Sequence, residues 1–129
     1  MLARIMVMAF STAALTACTP PEPAAEGALG YEGGMASFLA GDLLQITVEM
    51  SGPATADDLR AYTDCAAADA AVFQGFGFAR HVRTTVKEKG GLRRADAVYT
   101  VSSALPAGAR TIDAATQAET CRELGIPRV

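Results

Sequence analysis

Leu44, Ile46, Val48 and Met50 alternate with Gln45, Thr47 and Glu49. Successive side chains of an extended backbone point to opposite faces, so the stretch predicts a strand with one apolar and one wet face. Such a strand excludes an all-helical bundle. It also excludes a parallel sheet covered on both sides, whose strands are apolar throughout. One face of the sheet must be buried, and the sequence offers two helices to bury it. The first begins at Thr55-Ala56-Asp57-Asp58, where Thr55 can cap a backbone N–H and Asp58 can reach back to it. Leu59, Tyr62, Ala66, Ala70 and Phe73, spaced three and four apart, carry it to Gly75. The second runs from Asp113, its cap, through Ala114–Leu124 to Gly125 and Pro127.

Between the helices, Phe78–Val86 is rich in Val and Thr and reads as a strand. Lys87–Gly91 reads as a hairpin turn, and Ala95–Ser102 as the return strand with Ala97, Tyr99 and Val101 on one face. Ala109–Ile112 adds a short fourth strand at most. Gly30–Ala40 shows no alternation and reads as loop or a short edge segment. The order strand, helix, strand, strand, possible strand, helix predicts an α+β domain. Its small antiparallel sheet carries both helices on one face.

The first residues do not belong to that domain. Met1-Leu2-Ala3-Arg4 precedes an apolar run from Ile5 to Ala14, then Leu15-Thr16-Ala17-Cys18 and Thr19-Pro20-Pro21. A basic start, a short apolar core and small residues at its end describe a secretory signal. The run is short of the roughly 20 residues that span a bilayer, which argues against an uncleaved anchor. Leu15–Cys18 resembles the lipobox of bacterial lipoproteins. The resemblance implies a signal peptide over residues 1–17, cleavage between Ala17 and Cys18, and acyl chains on Cys18. An ordinary signal that leaves a free Cys18 is the alternative. Residues 18–29, rich in Pro, Ala and Glu, read as an extended tether, and ten such residues reach roughly 30 Å. Residues 30–129 make the single domain. Thr19 in place of Asp after the lipidated cysteine resembles the class sorted to the outer membrane, facing the periplasm.

With Cys18 assigned to lipid, Cys65 and Cys121 remain, one in each predicted helix. In an oxidising compartment an even pair predicts a disulfide. Two buried free thiols are the alternative. No C-x-x-C spacing tunes a redox thiol, and a zinc site needs more ligands than these two and His81.

Little else carries chemistry. His81, the single histidine, lies between Arg80 and Val82 with no nucleophile motif to serve, and reads as a solvated strand residue. Asp57-Asp58 suits a helix start better than a metal or catalytic pair. Gly75-Phe76-Gly77 completes no nucleotide-binding motif. No cofactor, metal or catalytic residue is expected.

Charge is more telling. The 129-residue chain carries 11 basic and 14 acidic side chains. Of these, Arg80, Arg83, Lys87, Lys89, Arg93 and Arg94 cluster in residues 80–94 against Glu88 alone. An acidic domain therefore projects one basic hairpin. Charge that protects an edge strand from aggregation accounts for it. So does contact with an anionic envelope surface or an acidic partner protein. Nucleic acid is disfavoured by compartment and by the lack of interleaved aromatics.

Residues from about Leu43 to Phe78 also resemble a family of small uncharacterised proteobacterial lipoproteins, through Gly52, Thr55, Ala67-Ala68-Asp69 and Gly75-Phe76. Ala66 and Asp69 stand where that pattern often has Arg and Glu, and Cys65 and Cys121 lie outside it. The resemblance implies an envelope location, an α+β domain and no established activity. It also raises Asp69 as a ligand-binding acid, against a plainer role paired to a nearby arginine. The sequence thus predicts a non-catalytic envelope lipoprotein, a binding or structural module held to the membrane by its N-terminal lipid. A docking module using hairpin 80–94 is the first alternative, and a small enzyme using His81 the second.

Overall fold

The computed structural model describes residues 28–129. Ala17, Cys18, the leader and nearly all of the tether lie outside the described residues. Seven elements follow in order: β1 (Gly30–Ala40), β2 (Leu43–Ser51), α1 (Ala56–Phe73), β3 (Phe78–Lys89), β4 (Leu92–Ser102), β5 (Thr111–Asp113) and α2 (Ala114–Glu123). The strands form one sheet in the order β1-β2-β4-β3-β5, with every neighbouring pair antiparallel. This is the α+β arrangement that the alternating strand and two helices predict.

β4 lies between β2 and β3, so the chain leaves β2, runs along α1 above the sheet and returns one strand further on. Every second residue of the two central strands is buried: Leu44, Ile46, Val48 and Met50 in β2, and Ala95, Ala97, Tyr99 and Val101 in β4. Leu59, Tyr62, Ala66, Ala67 and Ala71 of α1 close over them. Alanines on both sides of this contact let helix and sheet approach closely, and Tyr62 and Tyr99 are the largest side chains buried with them. Thr55 caps α1: its hydroxyl accepts from the Asp58 N–H, and the Asp58 carboxylate accepts from the Thr55 N–H. That carboxylate's pKa is held below its usual value by the same backbone hydrogen bond. Asp113 caps α2 without the return bond, its carboxylate accepting from the Thr116 N–H at 3.0 Å.

Cys65 and Cys121 are bonded, joining α1 to α2. α2 packs chiefly on α1 and meets the sheet at β5. The bond thus locks the outer helix onto the one that covers the core.

β1 is longer than the sequence suggests. Gly30–Ala40 is a full edge strand paired with β2, with irregularities between Tyr31 and Gly33 and between Phe38 and Ala40. Its glycines hide it, because they break any alternation. Gly34 has a physical reason: a side chain there would strike the Thr47 carbonyl oxygen. β5 begins at Thr111, two residues later than expected, so Ala109 and Arg110 lie outside it. β3 extends to Lys89, and only Gly90-Gly91 turn the hairpin, both with positive φ. That backbone suits a tight turn between strands of right-handed twist and favours glycine.

Candidate functional site

The register sorts the hairpin cations onto two sides. Residues directly opposite in an antiparallel pair share a face. Lys87 opposes Arg94, Arg83 opposes Val98, and Arg80 opposes Thr100. These positions alternate with the buried Ala95, Ala97, Tyr99 and Val101, so they lie on the sheet face that no helix covers. Lys89 follows Lys87 by two and shares that face. Arg80, Arg83, Lys87, Lys89 and Arg94 therefore stand together on the open side. Asp96, on the same face, pairs with Arg94 at 3.4 Å and accepts from the Thr47 hydroxyl at 2.8 Å. Arg80, Arg83, Lys87 and Lys89 have no carboxylate partner among the described residues.

Arg93 departs from this group. It opposes Glu88 on the helix side, where it is half-buried. Its guanidinium donates to the Ala54 carbonyl at 2.5 Å and pairs with Glu88 at 3.4 Å. Arg93 ties the hairpin to the entrance of α1 and is not part of the open cationic face.

The other side of β3 holds a groove of about 420 Å³ between that strand and the first half of α1. Arg60, His81, Val82, Val86 and Arg110 are among its lining residues. His81 is not the solvated residue that the sequence predicts. The strand irregularity between His81 and Arg83 leaves it on the helix side opposite Tyr99, half-buried, with the two rings edge to face at 5.3 Å. Its Nε2 lies 2.6 Å from the Thr84 hydroxyl, and its Nδ1 lies 3.5 Å from a terminal nitrogen of Arg110. With the Arg110 guanidinium donating to Nδ1, the neutral ring carries its proton on Nε2. Burial lowers the imidazole's pKa below its ordinary value; Asp64 opposes that shift, and Arg110 and Arg60 reinforce it.

Behind the imidazole, the buried Tyr99 hydroxyl donates to Asp64 at 2.6 Å and lies 3.0 Å from the Thr63 hydroxyl. Burial raises the phenol's pKa far above its usual value, and the neighbouring Asp64 carboxylate adds to the effect. Asp64 also meets Arg60 Nε at 3.7 Å. Arg110, which sequence reasoning missed, has a distinctive backbone: its φ of 61° makes it the one non-glycine residue with positive φ among the described residues. Nothing local in Gly108-Ala109-Arg110 announces this.

Asp69 does not face this groove. It pairs with Arg128 at 3.4 Å on the far flank of α1, the plainer of the two expected roles. Among the described residues, no group of three or more His, Cys, Asp or Glu is placed to hold a metal ion.

Residues 31–125 match the family model described as the YNQ4 C-terminal domain. The chain is also similar to an uncharacterised 26.9 kDa protein in the nqo8 5′ region of Paracoccus denitrificans. The two are 32% identical over 88 residues, covering 68% of this chain and 34% of that protein. The chain therefore spans about a third of the relative's length. No solved structure gives a significant match. The matched stretch takes in all five strands and both helices, hairpin and groove included, and the chain belongs to the YNQ4 C-terminal domain family.

Proposed function

We propose that this chain is a non-catalytic module of the bacterial envelope, held by lipid on Cys18, whose open sheet face docks onto an anionic surface. One observation carries the docking: Arg80, Arg83, Lys87, Lys89 and Arg94 converge on the uncovered face, four of them without a carboxylate partner among the described residues. The Pro/Ala/Glu-rich composition expected of a tether at residues 18–29 would let a small domain turn this face toward lipid headgroups or another acidic surface. Each cation near an anionic membrane contributes about 1 kcal/mol, so the face acts as a unit. The compartment rests on the lipobox resemblance.

A second reading has its own support. β5 pairs with β3 only at Phe78–Arg80, so the outer edge of β3 beyond Arg80 carries charges where a bare strand would invite aggregation. One experiment separates the two. The mature chain with Cys18→Ser, which removes the acyl anchor, is sedimented with vesicles containing phosphatidylglycerol and with neutral vesicles across a salt series. Salt-sensitive binding to the anionic vesicles is expected, and it disappears when Arg83, Lys87, Lys89 and Arg94 are changed together to Gln. Retained binding in that variant sinks the docking reading. Aggregation of the variant, from a parent that never bound vesicles, establishes edge protection instead.

A further inference from the structure

The groove beneath β3 has a feature that neither docking nor edge protection uses. Arg110 sits in a backbone conformation that side-chain-bearing residues rarely adopt, and its guanidinium is aimed at His81. An arginine normally finds a carboxylate or carbonyl oxygen, both stronger acceptors than imidazole. Among the described residues Arg110 has no acidic partner, and its guanidinium approaches Nδ1 at 3.5 Å. Two groups that repel when both are charged are thus placed side by side. Arg60 stands on the facing helix, held through Nε by Asp64. The His81 ring is steadied by Thr84 and by the edge of Tyr99. Charged and titratable groups face this ring from every element packed against it: Arg60 and Asp64 from α1, with Asp57 on the groove wall, Tyr99 from β4, and Arg110 from the loop before β5, while Arg83 of β3 meets it through its backbone.

We infer that the groove is a binding site for a phosphate ester, gripped by Arg110, Arg60 and His81, with the ester's apolar substituent along Val82 and Val86. Three donors on separate elements suit the three free oxygens of a tetrahedral phosphate better than the two of a carboxylate. Val82 and Val86 are about half exposed, and they supply an apolar wall beside the cationic end. A groove of about 420 Å³ has room for a phosphate group and the first atoms attached to it. When the anion arrives, Arg110 turns from Nδ1 to a phosphate oxygen, and Nδ1 takes up a proton and becomes a further donor. Binding is therefore stronger at lower pH, through the range in which the imidazole titrates. The site lies on the helix side of the sheet, so it stands or falls independently of the open-face docking.

His81 is the single histidine of the chain, so its imidazole resonances report on the groove without labelling ambiguity. The purified full chain is titrated with sulfate, whose charge is constant across the imidazole range, against sodium chloride of equal ionic strength. The His81 pKa is expected to rise in sulfate beyond its rise in chloride. Arg110→Gln should weaken sulfate binding at least about tenfold. Arg110→Gly, which relaxes the positive φ, should lose the anion with no fall in melting temperature. Arg94→Gln, on the opposite face, should leave the response intact. Acetate must bind clearly more weakly than sulfate. Glycerol 3-phosphate and glycerophosphoglycerol then test the three-oxygen grip: the monoester is expected to bind more tightly, and equal affinity for the diester, which has two free oxygens, would overturn it. An equal response in sulfate and chloride, equal binding of acetate, or unchanged affinity in Arg110→Gln would overturn the assignment.

Discussion

β3 and β4 are the two arms of one hairpin, and they differ in what surrounds them. β4 lies between β2 and β3 under α1, and it alternates strictly from Ala95 to Ser102 between buried and half-buried residues. β3 is buried at Ala79 alone, half-buried at Phe78 and His81, and exposed on both faces from Val82 to Lys89. Thr84 and Val86 point to the same side as Ala97 and Ala95, yet no helix reaches them. Burial in this molecule is decided by position in the sheet and by where α1 ends. The lesson for function is direct. β4 is constrained by packing, whereas the outer part of β3 is free to carry charge on one face and border a groove on the other.

The largest effect that sharpens this contrast lies outside both arms, in the bond that holds α2 to α1. Its loop spans a sequence separation of 56. Changing Cys65 and Cys121 together to Ala should therefore cost roughly 4 kcal/mol in denaturant-induced unfolding. Ala97→Val on β4 forces extra carbon against the alanines of α1 and should cost about 1–3 kcal/mol. Val86→Thr, two positions from its counterpart on the exposed arm, should change stability by less than about 0.5 kcal/mol. Equal losses from these two substitutions would break the comparison between arms.

The smallest expected effect concerns pH. The folded state holds the His81 pKa below its unfolded value, because burial disfavours the charged ring. The unfolded chain thus binds the proton more readily. Stability falls as pH is lowered through the ordinary imidazole range, and it is restored above that range. In His81→Gln this dependence should vanish from urea midpoints measured between mildly acidic and neutral pH. An undiminished slope would place the titrating group elsewhere.

Most of the fold is legible in the residues because local signals and tertiary demands agree. The alternation of β2, the Thr55–Asp58 cap, the Gly90-Gly91 turn and the Asp113 cap each have a short-range cause that survives folding unchanged. β1 is the exception. Gly34 serves close approach to the Thr47 carbonyl and Gly33 a positive φ at the strand irregularity, requirements that look like a loop when only neighbours in sequence are considered. The basic cluster is legible as a cluster. Its division is not, because the irregularity between His81 and Arg83 and the register with β4 decide which cations share a face. Arg110 carries no local signal at all.

By itself the sequence determined an α+β chain with one half-wet strand, two capped helices, a cysteine in each of them and a dense run of positive charge. Periodicity, capping and charge depend on near neighbours, and near neighbours are what a sequence displays. Tertiary structure alone decided that Arg93 turns inward to Ala54, that five other cations share an open face, and that His81 meets Arg110 across a groove. Those contacts join residues separated by 29 and 39 positions. They form because α1 carries the chain across β4 and returns it as β3, whose outer side β5 covers only from Phe78 to Arg80.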